Sequence, residues 1–103
     1  MTHGTESSFG RHQAADRRLV VLHLLVNSAG YAANEYLIEA GLGDQGHVVS
    51  NDQVRGELSW LAEQGLITTD NVGGVTVAKL TRRGHDVAHG KAHVPGVKRP
   101  VPM

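Results

Sequence analysis

Apolar residues first recur at helical spacing between about Gln13 and Ser28, where Leu19, Leu22, Leu25 and Val26 share one face and Val21 lies at its margin. Gly30 follows, as expected just past a helix C-terminus. Val20 and Leu24 fall off that face as an i,i+4 pair of their own, which fits either a helix buried on more than half its circumference or a homodimer contact through this helix. A shorter helix is predicted from Asn34 to Ala40, carrying Tyr36, Leu37 and Ile38 and ending at Gly41-Leu42-Gly43. After a linker from Asp44 to Val49, Ser50-Asn51-Asp52-Gln53 reads as a capping box. The Ser hydroxyl takes one orphan backbone N–H, and the Gln three residues on reaches back. Val54, Leu58, Leu61 and Gly65 share a face behind it, so a third helix is predicted over Asn51 to Gln64, with Gly65 as its stop.

The period then changes. Leu66 to Thr69 reads as a short strand, Asp70-Asn71-Val72-Gly73-Gly74 as a turn, and Val75 to Leu80 as the β-branched returning strand. Thr81 caps a last helix running to His89, with Gly90 beyond it. Residues 1–11 are small and polar and predict a disordered lead-in. All three prolines lie in the last nine residues, so residues 91–103 are expected as an extended basic tail. The result is one domain over residues 12–90, mainly α with a small β hairpin. Three helices, a hairpin and a final helix make the order of a winged helix-turn-helix.

Two stretches carry a resemblance to known proteins. Val54-Arg55-Gly56-Glu57-Leu58-Ser59-Trp60-Leu61-Ala62-Glu63-Gln64-Gly65-Leu66-Ile67 resembles the third helix and first wing strand of MarR- and ArsR-like regulators. Leu80-Thr81-Arg82-Arg83-Gly84-His85-Asp86-Val87-Ala88 resembles the segment that follows the wing in many of them. More closely, Gly30 to Pro102, including Val94-Pro95-Gly96-Val97-Lys98-Arg99-Pro100, is similar to a family of small proteins of Mu-like transposable phages and prophages, usually labelled ArsR-like regulators. The resemblance implies a winged helix, a bacterial cytoplasmic setting, and a DNA partner.

Composition narrows the chemistry. At 103 residues with 4% aromatics, the core must be small and aliphatic. Cysteine is absent, which removes disulfides, thiol nucleophiles and thiolate metal sites and suits a reducing cytoplasm. The longest apolar run, Leu19 to Val26, is broken by His23 and is too short to span a bilayer. No nucleophile, base and orienting group can be assembled, so no enzyme is expected. His85 and His89 have a metal-ligand spacing, but no further ligands are fixed nearby; neither a metal nor a cofactor is expected.

The formal net charge is zero, yet residues 30–70 hold seven acids against the single base Arg55, while residues 79–103 hold six bases against Asp86. If the third helix reads DNA, the candidates are Asn51, Gln53, Arg55 and Ser59, but Asp52 and Glu63 share its outer face and would repel phosphates. Lys79, Arg82, Arg83, Lys91, Lys98 and Arg99 form a second candidate, a basic stripe along wing and tail. Arg82 and Arg83 sit in the first turn of a helix, where the macrodipole disfavours cations. Trp60, the only tryptophan, is expected to pack on the wing, the alternative being that it anchors a partner. Two functions fit these features. One is a phage DNA-binding protein, a regulator or DNA-associated accessory factor, acting as a homodimer. The other is a protein-interaction winged helix, an assembly or packaging adaptor that docks a phage or host protein on its acidic face.

Overall fold

The computed structural model describes residues 7–101. Helix α1 (Ser8–Val26) starts earlier than its apolar period suggests, because the Ser7 hydroxyl accepts from the Gly10 N–H and caps it. Residues 8–11, expected as disordered lead-in, are therefore the first turn of a helix; residues 1–6 lie outside the described residues. A 3-10 turn (Ala29–Tyr31) follows, with Gly30 at φ 65°. It delivers the chain into a strand that hydrophobic alternation does not announce, β1 (Ala32–Asn34).

Asn34 ends β1 and caps the next helix, its side-chain oxygen accepting from the Tyr36 and Leu37 N–H groups. Helix α2 (Glu35–Asp44) then runs through both glycines where a stop is predicted. Gly41 serves close packing instead: a Cβ there would lie 2.8 Å from the methyl carbons of Leu24 on α1. Helix α3 (Asn51–Glu63) begins with both halves of the predicted capping box, Ser50 Oγ accepting from Gln53 N and Gln53 Oε1 accepting from Ser50 N, each at 3.1 Å.

Strands β2 (Ile67–Val72) and β3 (Val75–Leu80) form the hairpin, with Val72 opposite Val75. The two turn residues, Gly73 at φ 58° and Gly74 at φ 84°, both need the left-handed region that a tight two-residue hairpin demands. β1 adds to the far edge of β3, so the expected two-stranded hairpin is a three-stranded antiparallel sheet in the order β1-β3-β2. Helix α4 (Arg82–Ala88) is capped by Thr81, whose Oγ1 accepts from Gly84 N at 3.0 Å. Among the described residues the architecture is thus mixed α/β, four helices and a small sheet around one aliphatic core. Leu22 and Leu25 of α1, Ile38 and Leu42 of α2, Leu58 and Leu61 of α3 and Ile67 of β2 are essentially inaccessible there.

The segment after α4 departs most from expectation. It does not extend away; it folds back over α1 and α3. Val94 and Val97 are buried in the core, the Lys98 N–H donates to Ala15 O at 3.1 Å, and Arg18 Nη1 donates to Gly96 O at 3.1 Å. Burial of two valines offsets the ordering of a proline-containing chain that already has fewer conformations to lose. Trp60 belongs to this contact and not to the hairpin. The Arg18 guanidinium lies 4.0 Å from its ring centroid, and Gly96 is so close that a Cβ there would meet the ring at 2.8 Å.

Candidate nucleic-acid interface

Two carboxylates of the acidic middle are buried and answered by arginines. Glu57 of α3 receives Arg17 Nη1 at 2.8 Å and Arg18 Nε at 2.7 Å from α1. Glu35, at the start of α2, is fully enclosed and receives Arg55 Nε at 2.7 Å and the Thr76 N–H of β3. The Arg55 guanidinium, and then the Thr76 N–H, hold the Glu35 carboxyl down to about 2. Arg55 is thereby a strut between α3, α2 and the sheet.

The other α3 candidates are similarly committed. Asn51 donates to Glu39 Oε1 at 3.3 Å, and Gln53 is spent on the capping box. Ser59 is exposed with no side-chain hydrogen bond among the described residues, and beside it the outer face of α3 offers Asp52 and Glu63. Besides the exposed but internally bonded Gln53 and Arg55, α3 has one hydroxyl and two carboxylates to present to a duplex, a poor set for base edges and one with little attraction for phosphates.

The basic candidates behave differently. Lys98 reaches Asp16 at 3.4 Å, in a cluster where His47 Nε2 also approaches Asp16 at 2.7 Å. The hydrogen bond from His47, and behind it Lys98, lowers the Asp16 carboxyl below its usual range. Lys79, Arg82, Arg83, Lys91 and Arg99, by contrast, are exposed and have no ion pair among the described residues.

Lys79, Arg82 and Arg99 fall along one edge. Lys79 stands on the outer side of β3, opposite Ala32 of β1, the neighbour of Tyr31. Tyr31 shares a recess of about 180 Å³ with Leu80, Thr81, Arg82 and His85. The His85 ring meets the edge of Tyr31 at a centroid distance of 5.8 Å and stacks on His89 at 4.2 Å. His89 in turn lines a recess with Gly90, Lys98, Arg99 and Pro100. A row of three rings therefore joins the end of β3 to the folded-back tail, with cations along its length. Asp86 is the one carboxylate of α4.

Tyr31, His85 and His89 are additions to this surface that motif reading missed. The histidine spacing was visible as a possible metal pair; their stacking on each other and against Tyr31 depends on the fold. Tyr31 holds φ 58°, in the left-handed region unusual for a residue with a side chain. Among the described residues there is no group of three or more His, Asp or Glu able to hold a metal. No helix there is long and apolar enough to cross a membrane. The expected dimer pair is only half-buried, and Leu24 is already used inside the chain against Gly41.

The chain is 52% identical over 87 residues to the uncharacterized protein gp26 of Escherichia phage Mu; the match covers 84% of this chain and 90% of gp26. It is 49% identical over 77 residues to an uncharacterized protein of Haemophilus influenzae, covering 74% of each. No family model matches the chain. No solved structure matches it.

Proposed function

We propose, for a chain that belongs to the family of phage Mu gp26, a winged helix-turn-helix that holds duplex DNA through its phosphates and does not read base sequence. Helices α2 and α3 correspond to the helix-turn-helix pair and β2–β3 to the wing. The observation that carries the reading is the division of charge. Five cations on the β3–α4–tail edge have no ion pair among the described residues, whereas Asn51, Gln53 and Arg55, the candidates for reading bases, each hold an internal hydrogen bond, Gln53 and Arg55 while still exposed. Phosphate contacts give affinity and position, and base-edge contacts give specificity; this surface has the first kind in excess. The role is then a DNA-associated accessory factor of the phage, a non-enzymatic one, and not an operator-reading regulator.

The test is fluorescence anisotropy with labelled duplexes of unrelated sequence at low and high salt. Similar affinities for all of them, falling steeply with salt, are expected. No binding at low salt would remove the DNA reading. A duplex bound a thousandfold more tightly than the rest, the scale of specific recognition at about 10³ and above, would remove the claim of sequence independence.

A further inference from the structure

The face of α2 turned away from the core has the composition of a binding surface, and the DNA reading makes no use of it. Tyr36, Ala40 and Gly43 follow one another at i, i+4 and i+7 along that face. Tyr36 is 54% exposed and Leu37 beside it 64%. Across a groove of about 260 Å³, Val48 stands 89% exposed. In a core this short of aliphatic material, three large apolar side chains left in water around one helix need an explanation.

The rim is acidic. Glu39 lines the groove, and among the described residues its carboxylate is bonded to the neutral Asn51 amide. That bond also places the first turn of α3, with Asp52, next to Glu39. Asp44 is the last residue of α2, where the helix dipole is already negative and a carboxylate is disfavoured. Neither Asp44 nor Asp52 has an ion pair among the described residues, although the Arg55 guanidinium, already paired with Glu35, lies within electrostatic range of Asp52 and Tyr36.

We propose that this face docks a cationic amphipathic helix of a partner protein, its aliphatic side lying in the Tyr36–Ala40–Gly43–Val48 groove and its Lys or Arg side chains meeting Glu39, Asp44 and Asp52. Ala40 and Gly43 at the middle of the stripe let a second backbone approach closely, and helix-in-groove recognition uses just such a floor. Charge selects the partner among the alternatives. A second copy laid α2 against α2 would set the same carboxylates face to face, and nucleic acid would be repelled.

The probe is a synthetic Leu/Lys amphipathic peptide of about 15 residues, long enough to be helical when bound, compared with its counterpart in which every Lys is Glu. Amide chemical-shift mapping should place the Leu/Lys peptide on Tyr36, Glu39, Ala40, Gly43 and Val48, with the Leu/Glu peptide producing no shifts there. Ala40→Arg, at an exposed helical position that tolerates the side chain, should weaken binding about tenfold or more. Asp44→Asn with Asp52→Asn should weaken it several-fold and reduce its salt dependence. Arg82→Ala with Arg83→Ala should leave it unchanged. Shifts mapping elsewhere, equal binding of both peptides, or an Ala40→Arg variant that binds like the parent would each overturn the proposal. Self-association of the protein that Ala40→Arg abolishes would also overturn it, by giving the face to a second copy.

Discussion

Truncating Arg82 and Arg83 together gives the most direct test of how the protein would hold DNA. Both side chains are exposed and without an ion pair among the described residues, so Arg82→Ala with Arg83→Ala removes charge at little cost to folding. Each phosphate neutralised contributes about −0.9 to the slope of log affinity against log salt. If Lys79, Arg82, Arg83, Lys91 and Arg99 each meet one phosphate, the parent slope is about −4.5, and a fourfold rise in salt costs about 500-fold in affinity. The double variant should show a slope of about −2.7 and lose only about 40-fold over the same range. Anisotropy titrations of one random-sequence duplex, from about 50 to about 200 mM salt, measure both slopes. Arg55→Ala is the control: its guanidinium is held by Glu35, so the variant should be less stable yet keep the parent slope wherever it is folded. A double variant with the parent slope, or an Arg55→Ala slope as flat as the double variant's, would refute the assignment of the phosphate contacts.

Three further outcomes follow from the packing. Gly84→Ala places a Cβ inside van der Waals contact with the Leu66 carbonyl oxygen and 2.8 Å from Leu80 Cδ1; overpacking against backbone should cost about 3 kcal/mol, and a melting temperature like the parent's would show that α4 does not sit where described. Truncation before Val94 removes two buried valines and should cost about 3 kcal/mol, read from denaturant midpoints; an unchanged midpoint would return the segment to an unpacked tail. The Glu35 carboxyl is lowered in the folded state from its ordinary 4.5 to about 2, with Arg55 as the main cause. Its contribution is fully present above the unfolded value and is lost as pH falls from about 4.5 toward about 2. Glu35→Gln should therefore flatten the acid side of the stability–pH profile, and a variant profile parallel to the parent's over that range would contradict the pairing.

The distance in sequence over which an interaction acts separates what was legible from what was not. The Ser50–Gln53 box, the Thr81 cap, the Gly73-Gly74 turn and the core face of α3 could all be read because each signal and its effect lie within a few residues. Strand β1 could not be. Three residues of Ala-Ala-Asn carry no alternation of their own, and the hydrogen-bonding edge that makes them a strand is supplied by β3, some 45 residues on. Gly41 reads locally as a helix stop and is a packing floor only because Leu24 of α1 arrives there. The acidic middle looks like a uniform surface until Glu35 and Glu57 turn inward onto arginines 20 and about 40 positions away. That inversion weakens Arg55 as a DNA contact. It also leaves Glu39, Asp44 and Asp52 as the carboxylates around α2.

The sequence by itself determined the helices α1, α3 and α4, the hairpin, and the excess of cations near the C-terminus, since propensity, capping and composition are local properties. Only the tertiary structure decided which charges remain available, because a guanidinium is free or spent according to what the fold places beside it. It likewise decided that the final segment packs. Val94 and Val97 are apolar in any reading, but they are buried only where α1 and Trp60 offer a surface to cover.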